Sequence, residues 1–184
     1  MGVNWNAGNV RWMPHTDATG QSYPLNHLHP FRFDYHLPAD KGLPARTASI
    51  QVGFGLHCFT RKCQRGDPVS ELYKDDREVR TFDYDRYGLS KELRRIIESL
   101  DGRKCSFATH ENFLTVDTVG QGGQPVRYGV FFNLKKLSVG NELLLVVQSA
   151  YALDPSKSTP HKGTIGFKVL VGHTLRGTKP RKPK

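Results

Sequence analysis

Beyond residue 104 the chain is written as runs of Val, Phe, Leu, Ile and Tyr divided by turn residues. The runs cover residues 104–117, 127–134, 142–153 and 163–174. Gly120, Gly122, Gly123 and Pro125 make the first break, Ser138, Gly140 and Asn141 the second, and Asp154, Pro155, Pro160 and Gly163 the third. Strand formers bounded by such clusters at short spacing predict an antiparallel meander. Within the runs, Tyr128, Val130, Phe132 and Leu134 alternate with polar neighbours, as do Leu143, Leu145 and Val147, and Ile165, Phe167, Val169 and Val171. Period two of this kind suits a sheet covered on one side. The other side would then carry Arg127, Gly129, Asn133, Gln148, Gly166, Lys168 and Thr174.

Ahead of the meander the period changes. Leu89, Leu93, Ile96, Ile97 and Leu100 form one helical stripe, which predicts a helix over 90–100. Ser90 can cap its start, and Gly102 can take the left-handed conformation after its end. Residues 47–60 read as a further strand, in which Gly53 and Gly55 mark a bulge or a close backbone approach. Residues 31–36 alternate as a short edge strand would. Asp67 and Pro68 can open a short helix. Residues 1–45 lack a sustained period, are punctuated by Pro14, Pro24, Pro30, Pro38 and Pro44, and carry aromatic plugs at Trp5, Trp12, Tyr23, Phe31, Phe33 and Tyr35.

The fold class expected is therefore α+β: an antiparallel sheet of four to six strands, one main helix packed on one face, and a loop-rich N-terminal arm. Residues 1–80 form the arm and its strand-and-loop extension, 81–175 the helix-plus-meander core, and 176–184 a basic disordered tail.

With 184 residues and 37% hydrophobic positions, one domain with appendages is expected. The net charge of +10 and pI near 9.7 favour polyanionic partners. Three cysteines form no disulfide framework, and no apolar h-region or 20-residue apolar span is seen. The expectation is a cytoplasmic protein without a membrane partner.

Three groupings could carry chemistry. The first is the polar side of the sheet. Cations there would hold phosphates while Phe131 stacks on bases. Metal-free RNA cleavage needs a base, an acid and a charge stabiliser, for which His110, Arg127, Tyr128, Ser149, Tyr151, Lys168 and His173 are candidates. Arg94, Arg95, Lys135, Lys136, Phe131, His173 and Arg176 would bind RNA. The plainer reading is that His110 sits in a hairpin turn and that Ser149 and Tyr151 finish a strand. The second grouping is His27, His29, His36, His57, Cys58 and Cys63. These are zinc-ligand types, but their spacing matches no ligand knuckle, so neither metal nor cofactor is assigned. The third is the acidic set Asp67, Glu71, Asp75, Asp76, Glu78, Asp83 and Asp85. It is interleaved with Lys74, Arg77, Arg80 and Arg86, which predicts a salt-bridged surface rather than a magnesium site.

The order of one helix and then four strands, with the segments YGVFFNLKK and LLLVVQSAY, resembles the superfamily of barnase, EndoU, colicin-type and RelE-like endoribonucleases. The resemblance covers 87–174. It implies a metal-independent, toxin-like endoribonuclease acting on tRNA or mRNA, with an antitoxin or immunity protein as partner. Ser149 matches the hydroxyl position near the end of the penultimate strand, and His110 the general base. The QSAY segment is also similar to an uncharacterised bacterial family. The alternatives are a non-catalytic nucleic-acid or protein-interaction module, and a small-molecule-binding sheet domain.

Overall fold

A computed structural model describes residues 10–40, 43–107, 112–120, 122–137, 140–157, 163–178 and 180. Its largest element is a mixed sheet. The N-terminal half contributes β3 (Phe31–Leu37) and β4 (Arg46–His57) to it. These follow a small hairpin of β1 (His15–Thr16) and β2 (Ser22–Tyr23). A second, three-stranded sheet comes next: β5 (Thr60–Arg61), β6 (Leu72–Lys74) and β7 (Val79–Phe82). Helices α1 (Tyr84–Ser90) and α2 (Leu93–Glu98) lead back to the main sheet through β8 (Lys104–Phe107), β9 (Asn112–Val119), β10 (Pro125–Lys136) and β11 (Glu142–Ala152). The last described elements are β12 (Thr164–Gly166) and α3 (Phe167–Leu175).

The main sheet runs β12-β8-β9-β10-β11-β4-β3. Five of its strands are long, and the short β8 and β12 extend one edge. Every pairing is antiparallel except β11 with β4, which is parallel. The fold is α+β as expected, but the sheet is mixed, and among the described residues three α-helices serve it rather than one. The parallel pair arises because β4, far upstream in sequence, inserts beside β11.

The inner side of the sheet is the side that the period-two reading assigns. Tyr128, Val130, Phe132, Leu143, Leu145 and Val147 are all fully buried. The helical stripe is buried as well, at Leu89, Leu93, Ile96, Ile97 and Leu100. It spans two short helices instead of one. Asp83 caps α1 by accepting from the Arg86 N–H at 3.0 Å, and Ser90 ends that helix with its hydroxyl donating to the Tyr87 carbonyl. Gly102 takes φ +74 beyond the second helix, the role expected of it. The short helix opened by Pro68 is a single 3-10 turn, Val69–Glu71.

The largest departure is residues 163–174. Only Thr164–Gly166 is strand, and Phe167–Leu175 is helix. Phe167, Leu170, Val171 and Leu175 are buried at helical spacing, whereas Val169 is 50% exposed. The segment fits both periods, and packing decides between them. As a helix it sets Phe167 against Tyr35 at 5.3 Å and Phe132 at 6.4 Å, which covers the inner side of β10. From the expected arm, Trp12, Leu25, Leu28 and Tyr35 enter the same core, while Trp5 lies outside the described residues.

Candidate functional site

The outward side of the sheet is shaped by one irregularity. Between β10 and β11, Phe131 pairs with Ser149 and Phe132 with Val147, so Gln148 is an extra residue, a β-bulge. The bulge reverses the alternation of β11. Ser149 and Tyr151 thereby join Phe131 and Gly129 on the outward side, while Ala150 returns to the core. Across the parallel pair, Ser149 is in register with His57, which puts the two on neighbouring strands about 5 Å apart.

Gly55 makes this irregularity possible. A Cβ there would lie 2.7 Å from the Gln148 carbonyl oxygen, so β4 and the bulge approach as only glycine permits. This is the close backbone approach that Gly53 and Gly55 suggest in the sequence.

At the bulge the Phe131 and Tyr151 rings stack at 5.2 Å with 13° between their planes. The Arg86 guanidinium sits 4.9 Å from the Tyr151 ring centroid, a cation–π contact. Arg86 is held in place by donating to the carbonyls of His57 at 3.1 Å and Thr60 at 2.9 Å, and burial lowers its pKa. His57 Nε2 lies 2.8 Å from Glu78 Oε1, and Arg80 donates to Glu78 Oε2 at 3.2 Å. Burial pushes the Glu78 carboxyl up, but the hydrogen bonds from His57 and Arg80 outweigh it and hold the group below the ordinary carboxylate value. The result is an aromatic pair, a fixed guanidinium, a carboxylate-paired imidazole and a serine at one end of the sheet.

The residues expected to act together do not all meet here. Ser149 and Tyr151 are at the site, and Arg127 is exposed on the same side, two residues beyond Gly129 and opposite Asp117. Lys168 is a correction. It is exposed on α3, which packs on the inner side, so the sheet separates it from Ser149. Tyr128 is wholly buried on the inner side, its hydroxyl unpartnered among the described residues. His110 lies outside the described residues.

The expected RNA-binding residues are also dispersed. Phe131 and Lys135 face outward. Lys136 instead donates to the Leu175 carbonyl at 2.9 Å, satisfying the C-terminal end of α3. His173 bonds the Thr178 hydroxyl at 2.9 Å, and Arg176 is exposed just past α3. Arg94 pairs with Glu98 at 3.0 Å and lies over the Phe31 ring at 4.6 Å, while Arg95 pairs with Glu92 at 2.6 Å. Arg94 and Arg95 therefore belong to a salt-bridged helix surface.

His57, Glu78 and Arg86 are the site residues that sequence reasoning placed elsewhere. By sequence alone His57 groups with zinc-ligand types, and Glu78 and Arg86 with a salt-bridged surface. Their common position depends on the register of β4 against β11 and on the packing of α1, neither of which leaves a local pattern. The zinc-ligand types do not assemble. His27 bonds Ser90 Oγ at 2.8 Å, His29 contacts the Trp12 carbonyl at 3.3 Å, and His36 bonds the Thr47 hydroxyl at 2.8 Å. Cys58 is buried, and burial raises its thiol pKa to about 12. Among the described residues no three His, Cys, Asp or Glu side chains group as a metal site.

The acidic stretch is salt-bridged as its composition suggests, through Arg61–Asp67, Arg77–Asp75, Arg80–Glu78 and Arg86–Asp83. The outward side of the sheet is less uniformly cationic and open than expected. Arg32 pairs with Glu142 at 3.3 Å, Asp117 faces Arg127, and Leu144 is only 8% exposed. Among the described residues Lys135 has no carboxylate paired with it, whereas Arg86 and His57 at the bulge are paired with Asp83 and Glu78. Among the described residues no helix is long and apolar enough to cross a membrane.

No curated protein and no solved structure matches the chain. A family model does match, the YjaZ family, over residues 14–175, a span that takes in the N-terminal hairpin, both halves of the main sheet and α3. The chain belongs to the YjaZ family.

Proposed function

We propose that this protein binds single-stranded RNA on the outward side of its sheet, centred on the Phe131–Tyr151 pair. The observation that carries this reading is the half-exposed ring stack with a guanidinium fixed against it. A base can pack against such half-exposed rings, and base–aromatic stacking is worth about 1–3 kcal/mol per base without regard to sequence. Lys135 and Arg127 flank the stack along β10 and can take phosphates. The net charge of +10 adds an attractive field for a polyanion.

The test is anisotropy of a short labelled poly-uridine RNA. Phe131→Ala with Tyr151→Ala should weaken binding about 5- to 150-fold, the loss of one stacking platform. Lys135→Ala should reduce the salt slope by about 0.7, one single-strand phosphate contact. Unchanged affinity in the aromatic double variant, with its melting temperature preserved, would overturn the reading.

The His57–Glu78 hydrogen bond beside Ser149 favours a second reading, metal-independent cleavage. His57, oriented by Glu78, takes the proton of the 2′-hydroxyl. The 2′-oxygen attacks the adjacent phosphorus, the bond to the 5′-oxygen breaks, and that oxygen takes a proton from water. Products are a 2′,3′-cyclic phosphate and a 5′-hydroxyl. Cleavage should persist in EDTA and fall roughly 10²-fold or more in His57→Ala. Equal cleavage by His57→Ala would end this second reading and leave RNA binding standing.

A further inference from the structure

The turn after β9 faces α1 across a cleft of about 590 Å³, within the size range that holds small organic ligands. Tyr23, Tyr84 and Tyr87 line it, with Lys91 and Val119 among the remaining wall residues. Three observations define what it can hold. The first is its aromatic corner. Tyr23 meets Tyr84 at 5.1 Å and 69°, and Tyr87 at 5.6 Å and 88°, so the rings brace one another. A braced aromatic corner suits a planar ring, because little side-chain freedom is lost on binding.

The second is the state of the hydroxyls. Tyr23 donates to Asp17 Oδ2 at 3.0 Å, and Tyr84 donates to Glu71 Oε2 at 2.7 Å. Asp17 is further engaged by the Thr19 hydroxyl at 2.7 Å, and Glu71 lies 3.4 Å from His15 Nε2. Both carboxylates are thus committed to the wall of the cleft. The Tyr23 phenol oxygen keeps a lone pair, so it can accept an N–H bond from a ligand.

The third is charge. Lys91 Nζ sits 4.7 Å from the Tyr87 ring centroid, and among the described residues no carboxylate pairs with it. The adjacent Glu92 is occupied by Arg95. His27, close enough to feel Lys91, is neutral at physiological pH because burial, helped by Lys91, lowers its pKa to about 4. A single ammonium therefore stands beside an aromatic, hydrogen-bond-accepting cleft.

We propose that this cleft binds a nucleoside monophosphate, with the base against the tyrosine rings and the phosphate on Lys91. The ring corner selects a planar heterocycle, the Tyr23 phenol oxygen accepts from one of its N–H groups, and the ammonium supplies the anion contact. The proposal does not depend on RNA binding by the sheet, since the cleft shares no residue with the Phe131–Tyr151 site.

The experiment is calorimetric titration of the full chain with adenosine 5′-monophosphate, and separately with inorganic phosphate and indole-3-acetate. Saturable binding of the nucleotide is expected, at least tenfold weaker in Lys91→Glu. Val119→Glu, on the exposed opposite lip, should also weaken it. Val169→Lys, on the exposed side of α3, should leave nucleotide binding unchanged. Melting curves show that the variants fold. The proposal is overturned by absent saturation, by wild-type affinity in folded Lys91→Glu, by inorganic phosphate binding as tightly as the nucleotide, or by preference for indole-3-acetate.

Discussion

Replacing Gly55 by alanine tests the geometry on which the sheet site depends. The added Cβ would sit 2.7 Å from the Gln148 carbonyl oxygen and 3.3 Å from both its carbonyl carbon and its Cα. All three atoms are backbone within the β4–β11 ladder, so no side chain can swing aside. The strands must part, or the bulge must be re-formed. Overpacking of this kind costs about 1–3 kcal/mol. For a chain of 184 residues each kcal/mol shifts the melting temperature by about 2–4 °C, so Gly55→Ala should melt roughly 2–12 °C lower. Gly129→Ala is the control. Its Cβ would meet only side-chain atoms, Leu153 Cδ2 at 2.7 Å and Leu153 Cγ and Phe131 Cε2 at 3.1 Å, and these can shift where backbone cannot. The two variants add the same methyl group to adjoining parts of one sheet, so they differ only in what yields. Thermal melts followed by far-UV circular dichroism give the comparison, and RNA anisotropy reports whether Ser149 and Tyr151 have moved. A Gly55→Ala melting temperature within 1 °C of wild type, or a larger loss in Gly129→Ala, would refute the reasoning.

Three further outcomes are expected. Val169→Lys should leave stability within about 0.5 kcal/mol of wild type, whereas Val171→Ala should cost about 1.5–3 kcal/mol in urea denaturation, because a helix exposes the first and buries the second; similar costs at both would restore the strand reading. His27 has a folded pKa of about 4 against an ordinary 6.5, lowered first by burial and then by Lys91. The unfolded chain therefore binds the proton first: this contribution is fully present above pH 6.5 and is lost as pH falls toward 4, with a slope of up to about 1.4 kcal/mol per pH unit, and His27→Gln should flatten it in a stability-against-pH series. Lys136→Met should cost about 0.5–1.5 kcal/mol by freeing the Leu175 carbonyl, with RNA affinity unchanged in anisotropy, since the ammonium serves the end of α3.

Legibility in the sequence followed the range of the interactions involved. The apolar sides of β10 and β11 could be read because alternation is a property of each strand alone. The buried stripe of Leu89, Leu93, Ile96, Ile97 and Leu100 could be read for the same reason, although the chain breaks it into two helices at Lys91 and Glu92. Residues 167–175 could not. Phe167, Val169 and Val171 satisfy period two, while Phe167, Leu170, Val171 and Leu175 satisfy the helical period. Only the fit of Phe167 between Tyr35 and Phe132 separates the two patterns. Lys168 was misplaced as a consequence, because a wrong element type puts a side chain in the wrong layer.

The amino-acid order alone determined the sheet-rich class, the inner sides of its longest strands, the helical stripe, and a bulge or close approach somewhere at Gly53 and Gly55. Each of these is written in spacings of a few residues, where local sterics and burial act together. Tertiary structure decided that β4 lies parallel to β11, that Gln148 bulges, and that His57, Arg86, Ser149 and Tyr151 share one end of the sheet. Those positions depend on contacts between segments about 20–90 residues apart. Such contacts are settled by competition among whole-molecule packings, and a local spacing carries no trace of that competition.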